Sequence, residues 1–168
     1  LRLIIARGLA GATPLMYASV YGDADLLQKM LDAGRDPNVL DDAGATALMW
    51  ALDDVDKTRL LLERGADPNA RSGHGRTPLL LAVGQIDSDP VVQLLLNHGA
   101  TVLPGALTAA ANRGSVDVVR ILLSAGARET ADAAVAALRA NCTPCIDTIA
   151  DVQTLPPLRG ALLNLFPP

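Results

Sequence analysis

The chain has 168 residues, 50% of them hydrophobic, so it is long enough to bury a substantial core. Aromatic residues make up only 2% of it, and that core must therefore consist mainly of leucine, alanine and valine. The net charge of −4 argues against the basic face that nucleic-acid binding requires, and no apolar run reaches the roughly 18 to 20 residues of a membrane-spanning helix.

The first segment, LRLIIARGLA, is too short for the apolar region of a signal peptide and lacks a cleavage site. We therefore expect a soluble protein without direct membrane insertion. The cytoplasm is the expected compartment, and the periplasm is the alternative if a signal precedes Leu1. Lysine occurs only at Lys29 and Lys57, and the preference for arginine is typical of a GC-rich genome and hence of a bacterial source.

One motif then occurs three times, as GATPLMYASVYGD from Gly11, GATALMWALDDVD from Gly44 and GRTPLLLAVGQID from Gly75. The spacings are 33 and 31 residues, a period typical of repeat proteins. In each copy a threonine can cap a helix N-terminus, and in two copies proline follows at the first helical position. Each phrase therefore predicts the start of a helix.

A second amphipathic stretch follows each phrase after about ten residues and ends in glycine, which is typical of a left-handed helix C-terminus. The four stretches are DLLQKMLDAG, KTRLLLERG, PVVQLLLNHG and VDVVRILLSAG, with their last glycines at Gly34, Gly65, Gly99 and Gly126. The connectors RDPNV and ADPNA follow two of them. The predicted unit is thus a helix, a turn, a second helix and a stop.

The combination of T-P-L-x-x-A, a leucine-rich helix and G-A-D-P-N-A resembles the ankyrin repeat. This resemblance implies an all-α solenoid of helix–turn–helix units with short β-hairpin fingers, in one domain over residues 1–168. The predicted divisions are a partial repeat over 1–10, repeats over 11–42, 43–74, 75–103, 104–128 and 129–151, and a C-terminal capping helix over 152–168.

Three irregularities modify this register. Repeat two is two residues shorter than repeat one between its helices, so its inter-helix turn should differ. The short spacing between Gly99 and Gly105 predicts that the finger between repeats three and four is lost or reduced. In repeat five Asn141 stands where repeat four has Gly114, and asparagine tolerates the same left-handed conformation.

Apolar residues replace the histidine that the ankyrin pattern has in its first helix. Met16, Met49 and Leu80 stand at that position, so we expect apolar packing between neighbouring repeats there. The adjacent Tyr17 and Trp50 are expected to be core residues.

The cysteines and histidines, which could act as redox groups or metal ligands, have simpler interpretations. Cys142 and Cys145 form a C-x-x-C pair, but the redox motif of that type follows a strand, whereas this one follows a predicted helix. We expect Cys145 to occupy a core position and Cys142 to lie in a turn, while the sequence leaves open whether the two are bonded. His74 and His98 have no partner ligands nearby, so we expect no metal site, no cofactor and no catalytic residue.

The resemblance implies a non-enzymatic protein-binding module that contacts a protein partner through its concave face and finger tips. The variable positions of the ankyrin pattern give the predicted contact residues: Val20, Tyr21, Leu40, Asp42, Asp53, Asp54, Arg71, His74, Arg76, Gln85, Asn112 and Arg113. Two alternatives stay open at this point. The chain could be a structural subunit or appended domain of a larger hetero-complex instead of a free monomer, or a thiol redox protein that uses the cysteine pair.

Overall fold

The computed structural model describes residues 9–151, and within that range it contains α-helices and no β-strand. A short 3-10 helix over Leu9–Gly11 comes first. The α-helices are α1 (Pro14–Tyr21), α2 (Ala24–Asp32), α3 (Ala47–Trp50), α4 (Val55–Glu63), α5 (Pro78–Val83), α6 (Asp89–Asn97), α7 (Ala106–Arg113), α8 (Val116–Ser124), α9 (Thr130–Arg139) and α10 (Thr143–Asp151). The expected capping helix over 152–168 and most of the partial repeat over 1–10 lie outside the described residues.

The repeated phrases begin helices as their residues predict. The hydroxyl oxygen of Thr13 accepts from the N–H of Met16 at 3.3 Å, and Pro14 is the first residue of α1. Thr77 caps α5 in the same way by accepting from the N–H of Leu80 at 3.3 Å. These contacts satisfy N–H groups that the first helical turn leaves without a partner.

The second helices stop at residues in the left-handed conformation. Gly34, Gly65, Gly99 and Gly126 have φ between 79° and 91°. The first helices of repeats four and five also end at left-handed residues. Gly114 has φ 71° and Asn141 has φ 53°, which confirms that asparagine takes the conformation that glycine has in repeat four.

Repeat two has a shortened first helix. The α3 helix covers only Ala47–Trp50, against eight residues in α1, and the hydroxyl of Thr46 forms no capping hydrogen bond. The α4 helix then begins at Val55 after Asp54, whose carboxylate accepts from the N–H groups of Asp56 and Lys57. The two missing residues therefore shorten the first helix, and the turn that follows it differs from that of repeat one, as predicted.

The described residues form two compact units, 9–101 and 102–151. In the first unit, the first helices of successive repeats pack on one another, as do the second helices. Leu27, Leu48, Leu61, Leu79 and Leu95 are completely buried between them. An aliphatic core of this kind is what the low aromatic content requires.

One cation is buried in the first unit and has partners there. The ammonium group of Lys57 donates to the carbonyl oxygen of Ser19 at 3.2 Å and lies 3.5 Å from a carboxylate oxygen of Asp54. A buried charge is tolerated only when it is paired in this way. Lys57 therefore links repeat two to the first helix of repeat one.

Two asparagines join successive repeats through their backbones. The side chain of Asn38 donates to the carbonyl oxygen of Gly65 and accepts from the N–H of Asp67, both at 2.8 Å. The side chain of Asn69 makes the same pair of contacts one repeat later, with Gly99 at 2.9 Å and Thr101 at 2.8 Å. The D-P-N connector thus satisfies the backbone groups at the end of the next second helix.

In the second unit, α7 packs on α9 and α8 packs on α10. The carboxylate of Glu129 accepts from the N–H of Gly105 at 2.6 Å, just before α7 begins. Gly105 has φ 90°, so this helix starts from a left-handed residue in place of the capping threonine of the earlier repeats.

Two expectations need correction. The expected β-hairpin fingers are hairpin turns without strands in the described residues, because side-chain oxygens replace backbone acceptors there. Tyr17 is not a core residue, because 37% of its surface is exposed. Trp50 is half-buried, with its ring centroid 6.2 Å from that of Tyr17.

Candidate functional site

The segment between α2 and α3 forms a tight hairpin turn, residues 41–45, which we call finger one. The N–H of Asp41 donates to the carbonyl oxygen of Ala45 at 3.0 Å, and the N–H of Gly44 donates to that of Asp41 at 3.0 Å. The Asp41 carboxylate accepts from the N–H groups of Ala43 and Ala45, both at 2.8 Å. A side-chain oxygen therefore replaces the second backbone bond of the hairpin, and a strand ladder does not form.

The segment between α4 and α5 repeats this arrangement in residues 72–76, which we call finger two. The N–H of Ser72 donates to the carbonyl oxygen of Arg76 at 3.0 Å, and the Ser72 hydroxyl accepts from the N–H of Arg76 at 3.2 Å. The segment between α6 and α7 shows no such hairpin bonds, as its short spacing predicts.

The two fingers are joined to each other. The N–H of Gly73 donates to the carbonyl oxygen of Ala43 at 2.7 Å. Glycine is required on both sides of this contact. A Cβ on Gly44, which has φ 73°, would lie 2.7 Å from the nitrogen of Gly73, and a Cβ on Gly73 would lie 2.9 Å from the oxygen of Ala43.

Asp41 also anchors finger one to its own repeat. The indole N–H of Trp50 donates to the second carboxylate oxygen of Asp41 at 3.2 Å. Sequence reasoning missed Asp41 and Ser72 as finger residues. The signal was present, because each stands three residues before the left-handed Gly44 or Gly75, a spacing typical of side chains that hydrogen-bond within a turn.

Most of the predicted contact residues are exposed. The exposed ones are Tyr21, Leu40, Asp42, Asp53, Arg71, His74, Arg76, Asn112 and Arg113. Val20, Asp54 and Gln85 are half-buried. Because the carboxylate of Asp54 caps α4 and pairs with Lys57, its side chain also has a structural role.

The hydrogen bond between the two fingers brings some of the predicted contact residues together, whereas others lie on different elements. Leu40 and Asp42 belong to the region of finger one, and His74 and Arg76 lie in finger two, which is hydrogen-bonded to it. Tyr21 lies at the end of α1 and stacks on Tyr17, with ring centroids 6.4 Å apart. The predicted residues of α7, Asn112 and Arg113, belong to the second unit.

The charge of the surface changes sign between the fingers. Finger one carries Asp42 beside the anchoring Asp41, whereas finger two carries Arg76 and follows Arg71. Asp42, Arg71 and Arg76 are all exposed. Among the described residues, the ion pairs involve none of these three side chains.

The cysteine pair forms a disulfide bond at the start of α10. Cys145 is completely buried, as expected of a core position, and Cys142 is also buried in the turn before the helix. The sulfur of Cys142 accepts from the N–H of Cys145 at 3.3 Å, so it caps the helix as well. The disulfide closes a very short loop within repeat five, and its burial limits access for thiol exchange.

The two histidines lie at the end of α6 and in finger two. His98 lies at the end of α6 with its Nδ1 3.0 Å from the carbonyl oxygen of Leu94, and His74 is exposed in finger two. Between residues 9 and 151, no three His, Cys, Asp or Glu side chains are grouped as metal ligands. Over the same range, no helix is both long and apolar enough to cross a membrane.

Comparison with known proteins places these repeats in a family. The family model described as "Ankyrin repeats (3 copies)" matches residues 15–106, and the model described as "Ankyrin repeat" matches residues 106–133. No curated protein sequence matches the chain. The crystal structure of the human ASB11 ankyrin repeat domain is similar, with a TM-score of 0.74 and 24% identity over 84% of this chain and 69% of that chain. At this identity the likeness shows the fold alone, but the first family model covers more than half of the chain, which therefore belongs to the ankyrin repeat family.

Proposed function

We propose that the chain is a non-enzymatic protein-binding module whose contact surface consists of the two fingers and the ends of the first helices. Ankyrin repeats generally act as protein–protein interaction modules. The observation that carries the proposal for this chain is the hydrogen bond from Gly73 to Ala43, which joins finger one to finger two. A surface that is ordered before binding loses less conformational entropy when a partner docks.

The exposed side chains on this surface include two apolar anchors. Tyr21 is 81% exposed and Leu40 is 50% exposed, although both are large apolar residues. Side chains of this kind contribute most of the binding energy at interfaces when a partner buries them, and tyrosine is especially enriched among them. We therefore place the centre of the contact near finger one and the end of α1.

The charged residues define the partner's chemistry. Asp42 and Asp53 favour a basic stretch, whereas Arg71 and Arg76 favour an acidic one beside it. The partner segment should therefore carry both signs of charge in an order that matches fingers one and two. In the second unit, Asn112 and Arg113 are the proposed contact residues of that unit by itself.

Affinity capture with two matched variants tests this proposal. The front variant combines Tyr21→Ala with Arg76→Glu, and the back variant changes the exposed Gln28, Arg59 and Gln93 of the second helices to alanine. Captured proteins are quantified by mass spectrometry against the unmodified chain, after circular dichroism has shown that both variants are folded.

We expect the front variant to lose a specific partner that the back variant retains. Loss in the back variant alone would place the interface on the second helices and refute the assignment. A partner that co-elutes with the chain at fixed stoichiometry through every purification step would indicate a permanent subunit instead of a free module.

A further inference from the structure

Three of the chain's four aromatic residues form one group in the first unit, which we call the aromatic cluster. Tyr17 and Tyr21 lie four residues apart on α1 and stack, with ring centroids 6.4 Å apart and an interplanar angle of 23°. Trp50 of α3 is the second ring neighbour of Tyr17, with centroids 6.2 Å apart. The buried core of the described residues contains no aromatic side chain, so core packing does not account for this cluster.

The aromatic cluster is accessible to a partner. Tyr21 is 81% exposed, Tyr17 is 37% exposed and Trp50 is half-buried. The face of an aromatic ring carries negative charge density, so it attracts a cation as well as apolar groups. The charges around the cluster therefore decide which kind of side chain it suits best.

A carboxylate lies at the tryptophan end of the cluster. The indole N–H of Trp50 donates to a carboxylate oxygen of Asp41 at 3.2 Å, which places a negative charge at the edge of that ring. This hydrogen bond also polarises the indole and strengthens the attraction of its face for a cation. The next residue, Asp42, is exposed.

A further carboxylate lies near the tyrosine end. The ammonium group of Lys57 joins the end of α1 to the turn before α4, since it donates to the carbonyl oxygen of Ser19 at 3.2 Å and lies 3.5 Å from the carboxylate of Asp54. Tyr21 follows Ser19 by two residues, and the exposed Asp53 directly precedes Asp54. The end of α1 and the acidic turn of repeat two are thus neighbours.

The nearest described cations lie on a different side of the cluster. Lys29 and Arg35 line a groove along α1 and α2 together with the two tyrosines, and Trp50 does not belong to that lining. The cluster is therefore bordered by cations on the side of α2 and by carboxylates on the side of repeat two.

We infer that the aromatic cluster binds the guanidinium group of an arginine in the partner protein. The inference rests on the proposed function and specifies the anchor residue of the partner. A planar guanidinium stacks on an aromatic face while its N–H groups donate to carboxylates, and a compact, strongly hydrated lysine ammonium is less suited to this combination. The guanidinium stacks on the exposed tyrosine rings and directs its N–H groups toward the carboxylates on the side of repeat two.

Nuclear magnetic resonance tests this assignment at the site itself. Trp50 is the chain's one tryptophan, so its indole N–H gives a single identifiable peak in a nitrogen–proton correlation spectrum of the full-length protein. The probes are the tripeptide acetyl-Gly-Arg-Gly-amide and two analogues, in which citrulline or lysine replaces the arginine. Citrulline has nearly the shape of arginine but no charge, so it isolates the contribution of the cation.

We expect the arginine probe to shift the Trp50 peak in a saturable manner. The citrulline probe should bind at least about fivefold more weakly, a difference of about 1 kcal/mol, and the lysine probe should also bind more weakly than arginine. Tyr21→Phe keeps the ring face and should retain the affinity of the unmodified chain. Tyr21→Leu keeps an apolar side chain without a ring and should weaken binding of the arginine probe at least about threefold.

The carboxylates are tested with two double variants of equal charge. Asp42→Asn combined with Asp53→Asn should weaken binding of the arginine probe about two- to fivefold. The control combines Asp132→Asn with Asp147→Asn, which are exposed positions of the second unit, and it should leave the affinity unchanged. An equal effect of both double variants would mean that net charge, and not the carboxylates beside the cluster, attracts the probe.

Equal binding of the arginine and citrulline probes, or no shift of the Trp50 peak, would overturn the inference. Lysine binding as tight as that of arginine would contradict selection of a guanidinium, and equal affinities of Tyr21→Phe and Tyr21→Leu would exclude the ring face. The proposed function fails by a different result, namely a front variant that loses no partner while the arginine probe still binds. A captured partner that Tyr21→Leu retains as fully as Tyr21→Phe does would keep the protein-binding surface and refute the arginine anchor.

Discussion

Replacing Asn69 with alanine tests how successive repeats are held together. The substitution removes the donation to the carbonyl oxygen of Gly99 at 2.9 Å and the acceptance from the N–H of Thr101 at 2.8 Å. A hydrogen bond contributes about 0.5 to 1.5 kcal/mol net, so the two together contribute about 1 to 3 kcal/mol. Because Asn69 is only half-buried, water can replace part of this loss, and we expect the free energy of unfolding to fall by about 1 to 2 kcal/mol.

Urea denaturation measures this change as a lower transition midpoint at an unchanged m-value. Hydrogen exchange should also become faster at the amide of Thr101. The control Asn97→Ala removes an exposed asparagine that accepts a hydrogen bond from the exposed Gln93, and it should change stability by less than about 0.5 kcal/mol. An Asn69→Ala variant as stable as this control would refute the idea that the D-P-N asparagine joins the repeats.

Three further predictions follow from packing and geometry. Leu61→Ala removes a completely buried side chain and should lower the unfolding free energy by about 2 to 5 kcal/mol in urea denaturation, whereas a loss below about 1 kcal/mol would contradict close packing between repeats. Gly44→Ala places a Cβ 2.7 Å from the nitrogen of Gly73, so hydrogen exchange at Gly73 should become faster, and an unchanged rate would mean that the fingers are not joined. Cys145→Ser breaks the disulfide bond with Cys142 and places a hydroxyl in a completely buried site, so it should lower the melting temperature. The unmodified protein should show no turnover in an insulin-reduction assay, and robust turnover would support the thiol redox alternative.

Features that depend on local chemistry could be predicted from the sequence. The helix starts at Thr13 and Thr77 and the stops at the left-handed glycines each involve residues within a few positions of one another. The replacement of Gly114 by Asn141 was predictable for the same reason, because a repeat register assigns each position its backbone conformation.

Features that depend on distant groups could not be predicted in this way. The contact between Asp41 and Trp50 joins a turn to a helix, and each D-P-N asparagine bonds to backbone groups about 30 residues further along the chain. The missing strands depend on a competition between side-chain and backbone acceptors within five residues, which hydrophobic periodicity does not reveal.

Hydrogen–deuterium exchange of the chain alone and in complex with its captured partner tests the central claim most directly. We predict slower exchange on binding in peptides that cover residues 40–45 and 71–76, with little change over the second helices at 57–63 and 91–97. Protection confined to the second helices, with both fingers unchanged, would contradict the account.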